Sequence, residues 1–163
     1  MIVETIMQRD AKTCQRGTNL AEAASILWDR DCGVLPVVDD AGKVVGMISD
    51  RDICMAIVTK KRLASDIAVG EVISGNRVFS CNPDDLVENA LGTMQEHKVR
   101  RLPVVKGDGE LCGILSINDV ILAADHKGKG IKYEDAIRTL KAICAHHQAN
   151  EEANRQTASA TNA

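Results

Sequence analysis

Aromatic residues are almost missing from this 163-residue chain: Trp28, Phe79 and Tyr133 supply only 2% of it. So few rings leave no row of surfaces on which the bases of a single strand could stack. An excess of charge of one sign is missing too, with 20 Lys and Arg against 23 Asp and Glu and a formal net charge of -3. No general field therefore draws the chain to nucleic acid or to an acidic membrane. No apolar run approaches the roughly 20 residues that span a bilayer, and the opening MIVETIMQRD lacks the apolar core of a secretory signal. The six cysteines, at 14, 32, 54, 81, 112 and 144, contain no C-x-x-C pair. These absences predict a cytoplasmic protein whose thiols stay reduced and pack as small apolar groups, Cys54 and Cys112 among them because they lie in apolar stretches. Nor does any nucleophile stand beside a base in a way that would support hydrolysis or group transfer, so the chain does not read as an enzyme.

What is present is a duplication. LPVVDDAGKVVGMISDRDI, from Leu35 to Ile53, returns 67 positions later as LPVVKGDGELCGILSINDV, from Leu102 to Val120, with eight of nineteen positions identical. The same gap-free offset carries Ile6 onto Ile73, Cys14 onto Cys81, Ala23 onto Ala90 and Leu27 onto Met94. A chain of this length with 45% hydrophobic residues can bury a real core, and the repeat divides it into two related halves. The equivalence of Cys14 and Cys81 leaves a redox role open for that pair.

Each half reads as β-α-β-β-α. In the first, an extended piece over Lys12 to Cys14 precedes a helix that Thr18 could cap, with Leu20, Ala23, Ala24 and Leu27 on one face and an end near Asp31. Leu35 to Val38 and Val44 to Ile48 form a hairpin around Asp39-Asp40-Ala41-Gly42, and a helix follows from about Asp50 to Thr59. The second half repeats this with an extended Arg77 to Cys81, a helix from about Asp84 to His97, strands Leu102 to Val105 and Leu111 to Leu115, and a helix from Ile117 to Ala124. The predicted organisation is α+β, with one domain over 1–60, a linker over 61–68 and a second domain over 69–125. Lys60, Lys61 and Arg62 read as a solvated part of the connector. A linker and C-terminal helix occupy 126–148, the helix running from about Glu134 to Gln148 with Ile137, Leu140, Ile143 and Cys144 as its apolar face. A helix of that length should dock on the body or on a partner. The tail over 149–163 has nothing to bury and reads as disordered.

The junctions between hairpin and helix, GMISDRDI at 46–53 and GILSINDV at 113–120, both fit Gly-x-x-Ser-x-x-Asp. Two readings stand side by side. Ser at a helix N-cap with Asp three residues on is a capping box that needs no ligand, and the glycine could relieve crowding. Alternatively, the helix N-terminus offers unpaired N–H groups and partial positive charge to a phosphate, while the carboxylate accepts both hydroxyls of a ribose, as acidic residues do in dinucleotide folds. Arg51 adds a cation in the first motif where Asn118 stands in the second, and Arg100-Arg101 replace Gly33-Val34. His146 and His147 with Cys144 do not suggest a metal, because adjacent helical histidines diverge by about 100° and three ligands within four residues rarely close a tetrahedron.

The Leu-Pro-Val-Val strand, the Gly-x-x-Ser-x-x-Asp turn and the β-α-β-β-α order, all present twice, resemble the cystathionine-β-synthase (CBS) domain over about residues 2–125, and the tandem resembles a Bateman module of the stand-alone bacterial kind. The resemblance implies two repeats packed with pseudo-twofold symmetry. It implies two clefts for an adenosine-containing ligand (AMP, ADP, ATP or S-adenosylmethionine), no obligatory cofactor, and a regulatory role rather than catalysis. Carried over by position, Asp52 and Asp119 match the ribose-binding acid and Ser49 and Ser116 the motif hydroxyl. Thr13 and Ser80 match the strand that lines the base pocket, and Val34 and Arg101 the residues whose backbone meets adenine. Arg51 is the candidate phosphate cation of one cleft. Family members also pair into disk-shaped dimers, which implies a homodimer with a further protein partner. Two functions remain open at this point. One is a nucleotide sensor responding to energy state; the other is a ligand-free dimeric scaffold in which Ser-x-x-Asp is only a cap and the last helix carries recognition. The sequence does not choose among the adenosine ligands, or between parallel and antiparallel pairing.

Overall fold

The computed structural model describes residues 1–73, 75, 77–124 and 130–145. Its regular elements run β1 (Cys14–Gln15), α1 (Leu20–Asp29), β2 (Val34–Val38), β3 (Val44–Ser49), α2 (Asp50–Lys60), α3 (Val87–His97), β4 (Arg101–Val105), β5 (Leu111–Ser116) and α4 (Ile117–Ala123). A last helix, α5, crosses 133–145. The α+β order expected from the repeat is thus present twice, except that the extended 77–81 segment is reduced to a single bridge from Cys81 to Val104.

β1 runs parallel to β2 through Cys14↔Val37 and Gln15↔Val38, and β2 runs antiparallel to β3 from Val34↔Ser49 to Val38↔Val44. β4 and β5 form a two-stranded sheet. The bridge Cys81↔Val104 is the pair Cys14↔Val37 advanced by 67 in both members, so the duplication extends to strand register. Proline brings no N–H to a ladder, and the bridge uses only what Pro103 has: the Cys81 N–H donates to the Pro103 carbonyl at 3.2 Å, and the Val105 N–H to the Cys81 carbonyl at 2.9 Å. In the first hairpin the Asp39 carboxylate accepts from the Ala41 and Lys43 N–H groups at 3.0 and 2.9 Å, and Gly42 supplies the left-handed φ of +77° that this turn requires. The hairpin tips meet through Val44 N–H to the Gly109 carbonyl (3.1 Å) and Leu111 N–H to the Gly42 carbonyl (3.2 Å). The offset of 67 exchanges these two bonds, as a local twofold relation requires.

Packing divides the described residues into two units that cut across the sequence copies: 8–83 with 103–114, and 1–7 with 84–102, 115–124 and 130–145. In the first, Leu20, Ala23 and Leu27 of α1, Leu35, Val37 and Ile48 of the sheet, and Ile53 and Ala56 of α2 close a core. Ile67, Val69 and Ile73, from the segment that opens the second copy, complete it. Buried aliphatic side chains are worth about 1.5–3 kcal/mol each, so these three are a substantial share of that core. The same segment satisfies the start of α1, whose first N–H, from Leu20, donates to the Ile67 carbonyl at 2.9 Å, while Val69 N–H donates to the Thr18 carbonyl at 2.8 Å. In the second unit the beginning of the chain plays this part, with Val87 N–H to the Met1 carbonyl at 3.0 Å and Val3 N–H to the Asp85 carbonyl at 2.9 Å. Each copy's helices are therefore completed by the leading segment of the other copy.

Several local expectations are corrected. Asn19, not Thr18, caps α1, its side chain accepting from Glu22 N–H at 2.9 Å; the Thr18 hydroxyl accepts from Gln15 N–H instead, at 3.0 Å. α3 starts at Val87 rather than near Asp84, because its first donor is taken by Met1 and not by a side-chain cap. On α5 the buried residues are Ala136, Thr139 and Ile143, with Ile137 and Cys144 exposed. The helix packs by a small-residue face whose hydroxyl finds a partner: Gln95 Nε2 donates to Thr139 Oγ1 at 2.8 Å, and Thr139 donates onward to the Asp135 carbonyl at 2.9 Å. Of the thiols, Cys14 and Cys81 are buried, Cys32 and Cys112 half-buried, and Cys54 and Cys144 exposed. Cys54 is exposed because it lines the open groove between α1 and α2. Arg62 is exposed yet not idle, donating to Glu71 Oε2 at 2.8 Å and to the Asp66 carbonyl, and so braces the connector. Most of the 126–130 linker, the last turn expected for α5 and the whole tail lie outside the described residues.

Candidate functional site

The two Ser-x-x-Asp junctions are built alike. Ser49 ends β3 and is the N-cap of α2; Ser116 ends β5 and is the N-cap of α4. Asp52 N–H donates to Ser49 Oγ at 3.2 Å, while Asp52 Oδ2 accepts from both the Ser49 N–H (2.9 Å) and its hydroxyl (2.7 Å). At the second junction the corresponding distances are 3.2, 2.8 and 2.6 Å, with Asp119 Oδ2 as acceptor. Both capping boxes are thus closed, and each is worth about 1 kcal/mol. The first still leaves chemistry over. A single carboxylate oxygen takes both bonds, and Asp52 Oδ1 accepts none among the described residues, so a half-buried acceptor stands beside the positive end of α2.

Strand pairing sets Val34 directly opposite Ser49, so these two candidates of the first copy are brought together. The junction is tied down from below, where Asp50 N–H donates to the Gly33 carbonyl (3.3 Å) and its counterpart Ile117 N–H to the Arg100 carbonyl (3.0 Å). Arg51 is exposed, and its guanidinium makes no hydrogen bond or ion pair among the described residues; Arg101 is half-buried and likewise unpaired. Thr13 stands just before β1 and Ser80, exposed, just before the bridging Cys81. Thr13 lines a groove of about 560 Å³ with Thr18, Glu22 and Ser25 on the side of α1, and no other candidate shares that groove. The first motif glycine does relieve crowding, and the structure supplies the partner that the pattern did not name. A Cβ on Gly46 would lie 2.4 Å from Cδ1 of the buried Ile73, so glycine is what lets the leading segment of the second copy seat here.

Burial pushes the Cys14 thiol up to about 11, which keeps it protonated and unreactive near neutrality. No three His, Cys, Asp or Glu side chains converge as a metal site among the described residues; His146 and His147 lie outside them. Among those residues, no helix is long and apolar enough to cross a membrane.

With this geometry in hand the comparison with known proteins is direct. The sequence model of the CBS domain matches residues 3–59 and again 69–126. The CBS domain-containing protein YhcV of Bacillus subtilis is 34% identical over 118 residues, 72% of this chain and 81% of that protein. The chain belongs to the CBS-domain family. Its match to the inosine-5'-monophosphate dehydrogenase of Mycobacterium leprae, 29% identical over 123 residues, takes in 76% of this chain but only 22% of that enzyme. Among solved structures, the CBS domain pair of protein MJ0100 in complex with 5-methylthioadenosine and S-adenosyl-L-methionine aligns with a TM-score of 0.66 at 28% identity, covering 74% of this chain and 92% of that one. CBSX2 in complex with AMP aligns with a TM-score of 0.64 at 28% identity, over 75% of this chain and 94% of that one. The tandem CBS pair is therefore a regulatory ligand-binding architecture, and relatives of this fold hold adenosine-containing molecules.

Proposed function

We propose that this CBS pair senses an adenine nucleotide and passes the signal to a partner protein, with Asp52 and Asp119 accepting ribose hydroxyls. Asp52 Oδ1 carries this reading: the capping box occupies only Oδ2, so a half-buried carboxylate oxygen is left over beside a helix N-terminus. Ser49 and Ser116 are held at the same junctions, with Val34 opposite Ser49 supplying backbone to the base. Thr13, just before β1, and Ser80, just before the bridging Cys81, take matching places at the base side of the two sites. Arg51 and Arg101, both without an internal partner, are the cations for phosphate. They occupy non-equivalent positions in the two copies, so the two sites differ in what they hold. The relatives with AMP and with S-adenosyl-L-methionine support the adenosine class. Pairing of two chains belongs to the same reading, since Trp28, Met55 and Val58 of α1 and α2 are 87%, 51% and 64% exposed.

Thermal unfolding with AMP, ADP, ATP and S-adenosylmethionine tests this. A ligand at 100 times its dissociation constant adds about 2.7 kcal/mol, so at least one should raise Tm by several degrees. Asp52→Asn and Asp119→Asn should each diminish the rise, measured from the variant's own baseline because the cap is weakened as well. No rise with any of the four, with the Asp variants changing only baseline stability, would leave the capping box as the whole explanation and the chain as a ligand-free scaffold.

A further inference from the structure

We propose that the outer edge of β1 receives a short extended segment of a partner protein, laid antiparallel beside Thr13 in the groove along α1 and carrying a cation two residues before an apolar residue. In a parallel pair of strands the residues turn their backbone groups alternately toward the neighbouring strand and away from it. Cys14 is paired with Val37, so its groups face β2, as the bonds of its counterpart Cys81 display. Those of Thr13 and Gln15 face out. At Gln15 both are used internally, the N–H donating to Thr18 Oγ1 at 3.0 Å and the carbonyl accepting from Thr18 N–H at 3.1 Å. At Thr13 neither has a hydrogen-bond partner among the described residues. An open N–H and an open C=O on one residue suit an antiparallel strand, because two residues directly opposite exchange both bonds.

Beside that edge the surface is hollowed. Two hollows of about 560 and 360 Å³ share Thr13 and Ile26, the first reaching toward Gln15 and Glu22 and the second toward Ala11 and Arg30. Cys14 is buried in the core under the helices, so a residue opposite Thr13 turns to the other face and its two neighbours face α1. Those neighbours lie about 6.6 Å apart, close to the helical turn of about 6 Å that separates Glu22 from Ile26. An antiparallel segment reaches Glu22 first. Glu22 is exposed and is the only charged residue lining the larger hollow, which calls for a cation, and half-buried Ile26 calls for an apolar side chain. Thr18 closes the edge at Gln15, so the added strand is short and its cation meets Glu22 with a long side chain. At the far end Lys12, paired with Asp10 at 2.8 Å, and Arg30 offset Asp10 and Asp29, so no charge is selected there. The second copy shows that the fold does not require this stripe. Glu22 and Ile26 advanced by 67 are Asn89 and Thr93, and the Thr93 hydroxyl turns back to the Asn89 carbonyl at 3.2 Å. The contact uses the backbone of Thr13 rather than its side chain and does not depend on the nucleotide.

The probe is the acetylated and amidated peptide Thr-Lys-Thr-Val-Thr-Thr, titrated without nucleotide into the isotope-labelled full chain and followed by NMR. Saturable shifts are expected at Thr13, Ser25 and Ile26, with slower hydrogen exchange of the Thr13 amide. N-methylation of the peptide threonine between lysine and valine removes the donor to Thr13 and should abolish binding, whereas N-methylation of the valine, whose N–H points outward, should leave it. Thr13→Pro deletes the matching N–H at an edge position outside the ladder and should also abolish binding, while Thr13→Ala should keep it; circular dichroism checks the fold of both. Glutamate in place of the peptide lysine should weaken binding about threefold, and on Glu22→Lys the order of the two peptides should reverse. No saturable shift at millimolar peptide would overturn the proposal. So would equal binding of the peptide with lysine and valine exchanged, equal effects of the two N-methylations, or a Thr13 amide already protected by a second copy as the chain is concentrated. A failed nucleotide test leaves each of these results as it stands, so the two readings fail separately.

Discussion

Replacing Gly46 by alanine would place a methyl carbon 2.4 Å from Cδ1 of Ile73, with Cβ and Cγ1 of the same side chain at 3.4 Å. Carbon atoms in van der Waals contact sit about 3.5–4.0 Å apart, so the overlap is about 1 Å at one atom and slight at the others. Ile73 is only 3% exposed; its terminal methyl can move away only into packed neighbours, and overpacking of this kind costs about 1–3 kcal/mol. The sign is diagnostic. Without the contact, Gly→Ala would stabilise by about 0.4–1 kcal/mol through the unfolded chain, so the structure predicts a change in the opposite direction. Ile73→Val removes the clashing Cδ1 and alone should cost about 0.5–1.5 kcal/mol. The double variant should then be no less stable than Ile73→Val, giving a coupling of about 1–3 kcal/mol in the cycle. Urea unfolding with a common m-value measures all four proteins. If Gly46→Ala is neutral or stabilising, or if the two costs simply add, the Ile73 side chain is not held against Gly46 and the packing role given to the motif glycine is wrong.

Thr139→Val removes the hydroxyl that receives Gln95 and should destabilise by about 1–2 kcal/mol, whereas Thr139→Ser retains most of the stability; thermal unfolding of both decides whether the hydroxyl or the packing holds α5. Glu71 is held below the usual carboxylate range, first by the hydrogen bond from Arg62 and then by the Ala68 N–H. A depressed folded value means that its contribution is present above the carboxylate's ordinary pKa and is lost as pH falls through the lowered one; Glu71→Gln should flatten that part of the acid side of a stability–pH curve, and an unchanged curve would refute the brace. Cys14, with its thiol raised to about 11 by burial, should be alkylated far more slowly than the exposed Cys54 at mildly alkaline pH, read by peptide mass spectrometry; equal rates would mean that Cys14 is not buried.

Much of the candidate site was legible because it is local. A capping box joins residues three apart, so Ser49 with Asp52 and Ser116 with Asp119 can be read from spacing, and both are closed as read. Hairpin turns around Gly42 and Gly109 follow from the left-handed backbone that glycine permits. The start of α1 was misread by one residue because Thr18 and Asn19 are both good caps, and only the backbone path decides which side chain reaches the free N–H groups. On α5, periodicity chose the larger apolar residues, and Ile143 is buried as expected, yet Ala136 and Thr139 are buried with it while Ile137 and Cys144 are exposed. A helix that approaches closely is selected by small side chains and a matched hydroxyl, neither of which weighs much in a hydrophobic pattern.

The duplication, the β-α-β-β-α order and the two Ser-x-x-Asp caps were legible in the chain alone, whereas the shared register of Cys14↔Val37 and Cys81↔Val104 came with the structure. The first three follow from alternation, turn chemistry and bonds between near neighbours, and all of them repeat when the sequence repeats. Only the tertiary structure decided that Ile67, Val69 and Ile73 complete the core of the first copy while Val3 packs at the start of α3. It alone decided that α5 covers the face carrying Gln95 while the face carrying Trp28 stays bare. Two copies with nearly the same apolar pattern offer each leading segment two almost equivalent seats. The choice between them rests on chain connectivity and on contacts such as Ile73 against Gly46, between residues too far apart in the chain for any periodicity to record.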